Sequence, residues 1–144
     1  MTALRHIITV IFKYGIYMKM ILIFSHSLTE EQINDAIGKL NITEFVYMPQ
    51  ILQDIWSNIP ASVHNMKQYL SEIHNFIINN SSKNDYILIQ GDFGATYNTV
   101  NFCKDNERIT IYSTTKRQSK EIYRDNTIEK ISYFSHLSFR EYQA

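Results

Sequence analysis

The stretch from Asp85 to Tyr97, Asp-Tyr-Ile-Leu-Ile-Gln-Gly-Asp-Phe-Gly-Ala-Thr-Tyr, constrains this chain more than any other. Tyr86-Ile87-Leu88-Ile89 is a short, unbroken, β-branched-rich run, the pattern of a strand buried on both faces of a mostly parallel sheet. It stops at Gly91 and Gly94, which permit positive φ and close approach of a ligand to the backbone. Ala95, Thr96 and Thr99 are small enough for a helix to start tight against the sheet. Free backbone N–H groups and the positive end of the helix dipole would meet at the carboxyl end of a central strand, where open α/β sheets place their ligands. An anion, above all a phosphate, is expected beside Gly91 to Thr96. The spacing G-x-x-G is not the dinucleotide fingerprint, and no Gly-Lys-Ser/Thr follows as a P-loop requires. Asp92-Phe93-Gly94 matches the kinase tripeptide without its companion motifs and is read as chance. The competing reading is a tight strand-to-helix turn with no ligand.

With 144 residues and 44% hydrophobic content, the chain is expected to form one domain with a real core. A formal net charge of zero argues against a long DNA duplex held on a basic face, while leaving room for a local phosphate patch. The single cysteine, Cys103, falls in the helix after the glycine turn and is read as a buried small hydrophobe in a reducing cytoplasm.

The apolar run Ile7 to Phe12 is too short for a spanning helix, and the pattern of a secretory signal is not visible. Residues 1–17 are read as an extension from an upstream start, or as an added edge strand, and 18–144 as the domain. Ile21-Leu22-Ile23-Phe24 is a second buried parallel strand, ending in Ser25-His26-Ser27. Thr29 with Gln32 forms a capping-box pattern, predicting a helix to about Leu40 with Ile33, Ala36, Ile37 and Leu40 inward. His26 is either a ligand contact or proton carrier, or a satisfied surface or capping group. Glu44 to Met48 reads as a third strand closed by Pro49. Ile51, Leu52, Ile55 and Trp56 then follow helical spacing, with Trp56 as a plug. From Ser62 to Asn80 the apolar period predicts one five-turn helix. His64 and His74 lie on it ten residues apart, too far for an i,i+4 metal pair, and no metal site is expected.

Arg108 to Tyr112 is predicted as the next strand, ending in a third polar turn, Ser113-Thr114-Thr115-Lys116-Arg117. Lys116, Arg117, Lys120 and Arg124 against the single acid Glu121 would complement a phosphate, or else form a solvated charged segment. The last segment alternates as an antiparallel hairpin, Glu121 to Phe134, with Asp125-Asn126 at the turn. Such a hairpin covers a sheet edge or reaches across a dimer. His136 and Arg140 are open between structural and ligand-facing roles. The fold class is therefore α/β, a mostly parallel sheet flanked by helices with a C-terminal β-hairpin.

Taken together, Ile-Phe-Ser-His-Ser-Leu-Thr-Glu-Glu-Gln (23–32), Gln-Gly-Asp-Phe-Gly-Ala-Thr (90–96), Ile-Tyr-Ser-Thr-Thr-Lys-Arg (111–117) and His-Leu-Ser-Phe-Arg-Glu-Tyr (136–142) resemble the small accessory proteins of type III CRISPR systems. These are compact Rossmann-like proteins related to CARF domains, several of which behave as ring nucleases. The resemblance spans roughly Met18 to Tyr142. It implies a cytoplasmic homodimer, free of cofactors and membrane, that binds a cyclic oligoadenylate across its two-fold axis. The four-membered ring is the expected ligand, and its opening would switch off antiviral signalling. A symmetric cyclic anion suits an isologous dimer, because each protomer offers the same turn to one half of the ring. Ring opening would proceed by attack of a ribose 2′-OH on the adjacent phosphorus, displacing the 5′ oxygen and leaving a 2′,3′-cyclic phosphate.

On that reading Gln90, Gly91, Asp92, Phe93, Gly94 and Thr96 contact the ring, with Asp92 on a ribose hydroxyl or an adenine edge. Ser25, Ser113 and Thr114 line the same crevice. Lys116 or Arg117 places charge on the scissile phosphate, and His26, Thr115 or Ser113 orients or deprotonates the nucleophile. A protein that binds the messenger without cleaving it uses the same cradle, and a nucleotide-dependent small-molecule enzyme is a more distant alternative.

Overall fold

The computed structural model describes residues 17–144; the expectations for the first 17 residues, Tyr17 apart, lie outside the described residues. Five strands, β1 (Lys19–Ile23), β2 (Glu44–Tyr47), β3 (Tyr86–Ile89), β4 (Ile109–Arg124) and β5 (Thr127–Glu141), form one sheet in the order β2-β1-β3-β4-β5. The first four are mutually parallel, with Ile21 opposite Val46 and Ile87, and Leu88 opposite Ile111. β5 runs antiparallel to β4. The fold is thus mixed α/β: the parallel part and the antiparallel C-terminal hairpin both agree with the pattern in the sequence, and the departure is that the hairpin's first strand is the continuation of β4, not a separate element.

The unbroken apolar runs follow from burial on two faces. Met20 and Leu22 of β1, with Leu88 and Ile111, pack under α1 (Glu30–Leu40). Ile21, Ile23, Ile87 and Ile89 face the opposite layer, made by α2 (Gln50–Ser57), the single turn α3 (Met66–Tyr69), α4 (Ser71–Asn80) and α5 (Phe93–Asp105). Ile87, Leu88 and Ile89 are fully buried. Each contributes about 1.5–3 kcal/mol of apolar burial, which is what holds the site's central strand in place.

Thr29 caps α1 as the sequence predicts: its Oγ1 accepts from Gln32 N at 3.2 Å and its own N–H donates to Gln32 Oε1 at 2.9 Å. Ile37, expected inward, is half exposed, because the buried stripe is centred on Gln32 and Ala36. The five-turn helix expected from Ser62 to Asn80 is interrupted: Asn65 caps α3 through its side chain, Leu70 breaks the helix, and α4 begins at Ser71. Apolar spacing carries through that break because Met66, Leu70 and Ile73 still reach one core.

The largest correction concerns residues 113–117. No turn stands there. β4 runs on from Ile109 to Arg124, reverses at Asp125-Asn126, both at positive φ (50° and 62°), and returns as β5. Two consecutive left-handed residues give the tight reversal that matches strand twist. Beyond Ile111, β4 has lost its β3 neighbour and pairs with β5 alone, so most of the hairpin projects as a two-stranded ribbon. The Ser-Thr-Thr run is polar because it leaves the core, with its backbone paired in a ladder. Among the described residues no helix is long and apolar enough to cross a membrane.

Candidate functional site

Parallel strands bring the carboxyl ends of β1, β3 and the first half of β4 to one rim. Gln90 ties the three together: its N–H donates to Ile23 O at 3.1 Å, and its Oε1 accepts from Ser113 N at 2.8 Å. Its carbonyl accepts from Trp56 Nε1 at 2.9 Å. Ser25, Gly91 and Ser113 therefore lie at the same edge of the parallel strands, where β1 and β3 end and β4 runs on.

Gly91 is a glycine for a different reason from the one expected. Neither Gly91 nor Gly94 takes a positive φ; a Cβ on Gly91 would stand 2.5 Å from Trp56 Nε1 and 2.8 Å from its Cε2. The missing side chain makes room for the indole that locks Gln90, so the close approach is to the protein's own core. Asp92 is the N-cap of α5, its Oδ1 accepting from Ala95 N at 3.0 Å. A carboxylate thus already sits on the helix end where the sequence pattern placed a phosphate.

Beside that helix, on the α5 face, lies a cleft of about 720 Å³ between α5, β4 and the C-terminal residues. Its walls are aromatic: Phe93 (94% exposed) and Tyr97 (72% exposed) on α5, and Tyr112 and Tyr142 opposite. The Tyr112 and Tyr142 rings lie 4.7 Å apart, and Tyr142 donates from its hydroxyl to Ile89 O at 2.6 Å. Burial, with Tyr112 adding to it, pushes the Tyr142 phenol up, so it stays a donor. Gln90, Asn101 and Gln143 supply amides, Lys104 supplies a cation, and among the described residues no Asp or Glu side chain lines the space. Arg140 lies over the Tyr112 ring at 5.6 Å and donates to its hydroxyl at 3.0 Å. Thr96 also lines the cleft, and its Oγ1 is buried with no hydrogen-bond partner among the described residues.

On the α1 face of the same rim a second hollow, of about 480 Å³, opens between the N-terminus of α1 and the root of the ribbon. Ser113 Oγ stands 2.6 Å from His136 Nδ1, and His136 Nε2 stands 2.8 Å from Asp35 Oδ2. Asp35 also pairs with Lys39 at 3.0 Å, and Gln32 Nε2 donates to Ser113 Oγ at 3.3 Å. Burial raises the Asp35 carboxyl, but the hydrogen bonds from His136 and Lys39 outweigh it and hold it below its ordinary value. The carboxylate therefore accepts from Nε2–H. In the neutral ring Nδ1 is then the acceptor for the Ser113 hydroxyl. The register shift at Thr114/Thr115 leaves Leu137 as an extra residue on β5 and sets His136 opposite Thr115.

The residues singled out in the sequence are thus divided. Ser25, Gln90, Gly91, Asp92, Phe93, Gly94, Thr96 and Ser113 share the rim. His26 is exposed beside Phe24, ring centroids 5.5 Å apart. Thr114 is tied to β5, its Oγ1 donating to Ser138 O at 2.9 Å, and Thr115 lines the α1-face hollow. Lys116 and Arg117 lie farther out on the ribbon, exposed, with Arg117 Nη2 donating to Ser132 Oγ at 3.3 Å. His74 is buried in the core, hydrogen-bonded to Thr99 Oγ1 at 3.1 Å and stacked on Phe102 at 4.2 Å. Burial pushes the Cys103 thiol up to about 12, consistent with an inert core residue. Sequence reasoning missed Asp35, Gln32, Tyr97, Tyr112 and Tyr142. One signal was present: Gln32 and Asp35 lie three apart on the stripe that Ala36 buries.

The family described as Uncharacterized protein MJ1673 family matches residues 18–140. The chain is similar to Uncharacterized protein MJ1673 of Methanocaldococcus jannaschii, at 53% identity over 124 residues, covering 86% of this chain and 96% of that protein. No solved structure matches the chain. The family match and the relative both cover most of the length, and the chain belongs to the Uncharacterized protein MJ1673 family.

Proposed function

We propose that this protein binds a cyclic oligoadenylate in the aromatic cleft on the α5 face, as a homodimer. The observation that carries the reading is the pair of solvent-facing rings, Phe93 and Tyr97, in a cleft that no acidic side chain lines among the described residues, at the carboxyl edge of a parallel sheet. Exposed rings of this kind serve as stacking platforms, each worth about 1–3 kcal/mol per base. Gln90, Asn101 and Gln143 offer the paired donors and acceptors that an adenine edge needs. Lys104 and Arg140 give the phosphates a positive border. The ribbon supports the dimer: Tyr123, Ile128, Tyr133 and Phe134 are exposed on it, and a two-stranded ribbon is marginal unless something packs against it.

Ring opening is a second reading, favoured by the cations of the ribbon. From Ile111 to Arg117 an extended strand covers roughly 20 Å at about 3.3 Å per residue, which sets Lys116 and Arg117 out on the ribbon to face the cleft of a second copy. There they would stabilise charge on the scissile phosphate while the 2′-OH attacks.

Titration calorimetry with cyclic tetra-adenylate tests binding, expected at one ring per dimer; absence of heat and of a mobility change with rings of three to six adenylates would overturn it. Incubation in EDTA, followed by separation of linear products, decides between opening and retention. If Arg117 acts on the phosphate, Arg117→Ala should lower turnover by at least about tenfold while changing affinity less than about twofold.

A further inference from the structure

The α1-face hollow holds chemistry that nucleotide binding does not use. Ser113 Oγ, His136 Nδ1, His136 Nε2 and Asp35 Oδ2 form a continuous chain with gaps of 2.6 and 2.8 Å. A hydroxyl hydrogen-bonded to an imidazole that a carboxylate orients from behind is the arrangement that activates a serine nucleophile. Three details fit that use. Gln32 Nε2 donates to Ser113 Oγ and so holds the hydroxyl with its proton toward His136. The imidazole is almost wholly buried, its side chain 4% exposed, so water competes little for Nδ1. And Ser113 opens onto a hollow of about 480 Å³ instead of being sealed in the core.

We infer that Ser113, His136 and Asp35 form a second, covalent site that takes an uncharged or cationic carboxylic ester. The lining decides the substrate class: Glu30 and Glu31 supply acid, Tyr133 and Phe134 supply apolar walls, and among the described residues no Lys or Arg lines it. A phosphorylated ligand is repelled there, which separates this site from the aromatic cleft. In the reaction Ser113 Oγ bonds to the carbonyl carbon and passes its proton to His136 Nδ1. The carbon–oxygen bond to the leaving alcohol breaks, and the alcohol takes that proton. Water then attacks the acyl-serine, giving its proton to His136, and the regenerated Ser113 hydroxyl releases the carboxylic acid.

A neutral alkyl fluorophosphonate tests this on the full chain, because attack by an activated serine forms a serine–phosphorus bond and expels fluoride. The expected result is a single adduct by intact mass, mapped by peptide sequencing to Ser113 and absent from Ser113→Ala. Labelling should slow by at least about 100-fold in His136→Gln and about tenfold or more in Asp35→Asn, with each variant's fold checked by circular dichroism. Hydrolysis of a short-chain nitrophenyl ester should fall in the same order. No adduct on the wild-type protein, an adduct that maps elsewhere, or unchanged labelling in a folded His136→Gln would each reduce the chain to a structural hydrogen-bond network. Cyclic tetra-adenylate binding is unaffected by either outcome, so the two sites stand or fall separately.

Discussion

The two sides of the sheet at its carboxyl edge are built on opposite principles. On the α5 side the walls are rings and amides with a cationic border, and the rim residue Gly91 is set by packing against Trp56. On the α1 side the lining includes the acids Glu30 and Glu31, and a chain of hydrogen bonds runs from Asp35 to Ser113. One strand, β4, serves both, because alternate residues point to opposite faces: Tyr112 borders the aromatic cleft while Ser113 enters the polar hollow. The comparison teaches that neighbouring residues of one strand can face ligands of opposite charge without conflict when a sheet lies between them.

The most damaging way to break this contrast is to remove the indole that fixes the rim. Trp56→Ala deletes a fully buried ring and the donor to Gln90 O, and should cost about 3–5 kcal/mol by chemical denaturation. Gln90 would lose its anchor, so both faces should loosen together; a loss confined to one face would show that they are built independently.

Acid should separate them. Burial, with a contribution from the Lys67 charge, lowers the His74 imidazole from 6.5 to about 4. The folded state disfavours the charged ring, while the unfolded chain binds a proton near its ordinary value. Stability is therefore full above pH 6.5 and is lost as pH falls toward 4, by roughly 2–3 kcal/mol. Asp35 acts lower: its depressed value stabilises the fold above 3.8, and that contribution disappears as pH falls through the folded value. Denaturation midpoints between pH 7 and pH 3 should thus fall in two steps, the α5-side core before the α1-side relay, and substituting His74 by Gln should flatten the first.

Gly91→Ala presses a methyl group into the Trp56 ring and should cost about 1–3 kcal/mol. Most of that cost should vanish in a Trp56→Leu background, a coupling measurable by a double-mutant cycle. The smallest effect on stability, under about 0.5 kcal/mol, is expected for Phe93→Ala, since the ring faces solvent. The same variant should weaken cyclic tetra-adenylate binding by about tenfold or more. If affinity is unchanged, the ring is no platform.

How far the chain could be read in advance varies with the range of the contacts involved. The runs at Ile21 to Phe24 and Tyr86 to Ile89 announced strands buried on both faces, and the Thr29–Gln32 capping box announced the start of α1, because each depends on near neighbours in sequence. The polar run Ser113 to Arg117 misled for the same reason. Its composition is that of a turn, but it is paired to residues about twenty positions away, from Phe134 to Phe139, and pairing of that kind leaves little trace in local composition. Gly91 was noticed for its freedom, while its partner Trp56 lies 35 residues earlier. The Asp35–His136 contact spans 101 residues.

The sequence by itself determined the parallel α/β layers, the caps and the tight reversal at Asp125-Asn126, since apolar periodicity, helix ends and left-handed residues act within a few positions. Only the tertiary structure decided what occupies the rim: which glycine yields to an indole, which tyrosines share a cleft, and which aspartate meets which histidine. Those pairings follow from how the layers stack and how one long strand leaves the sheet, and stacking is settled by the whole core at once.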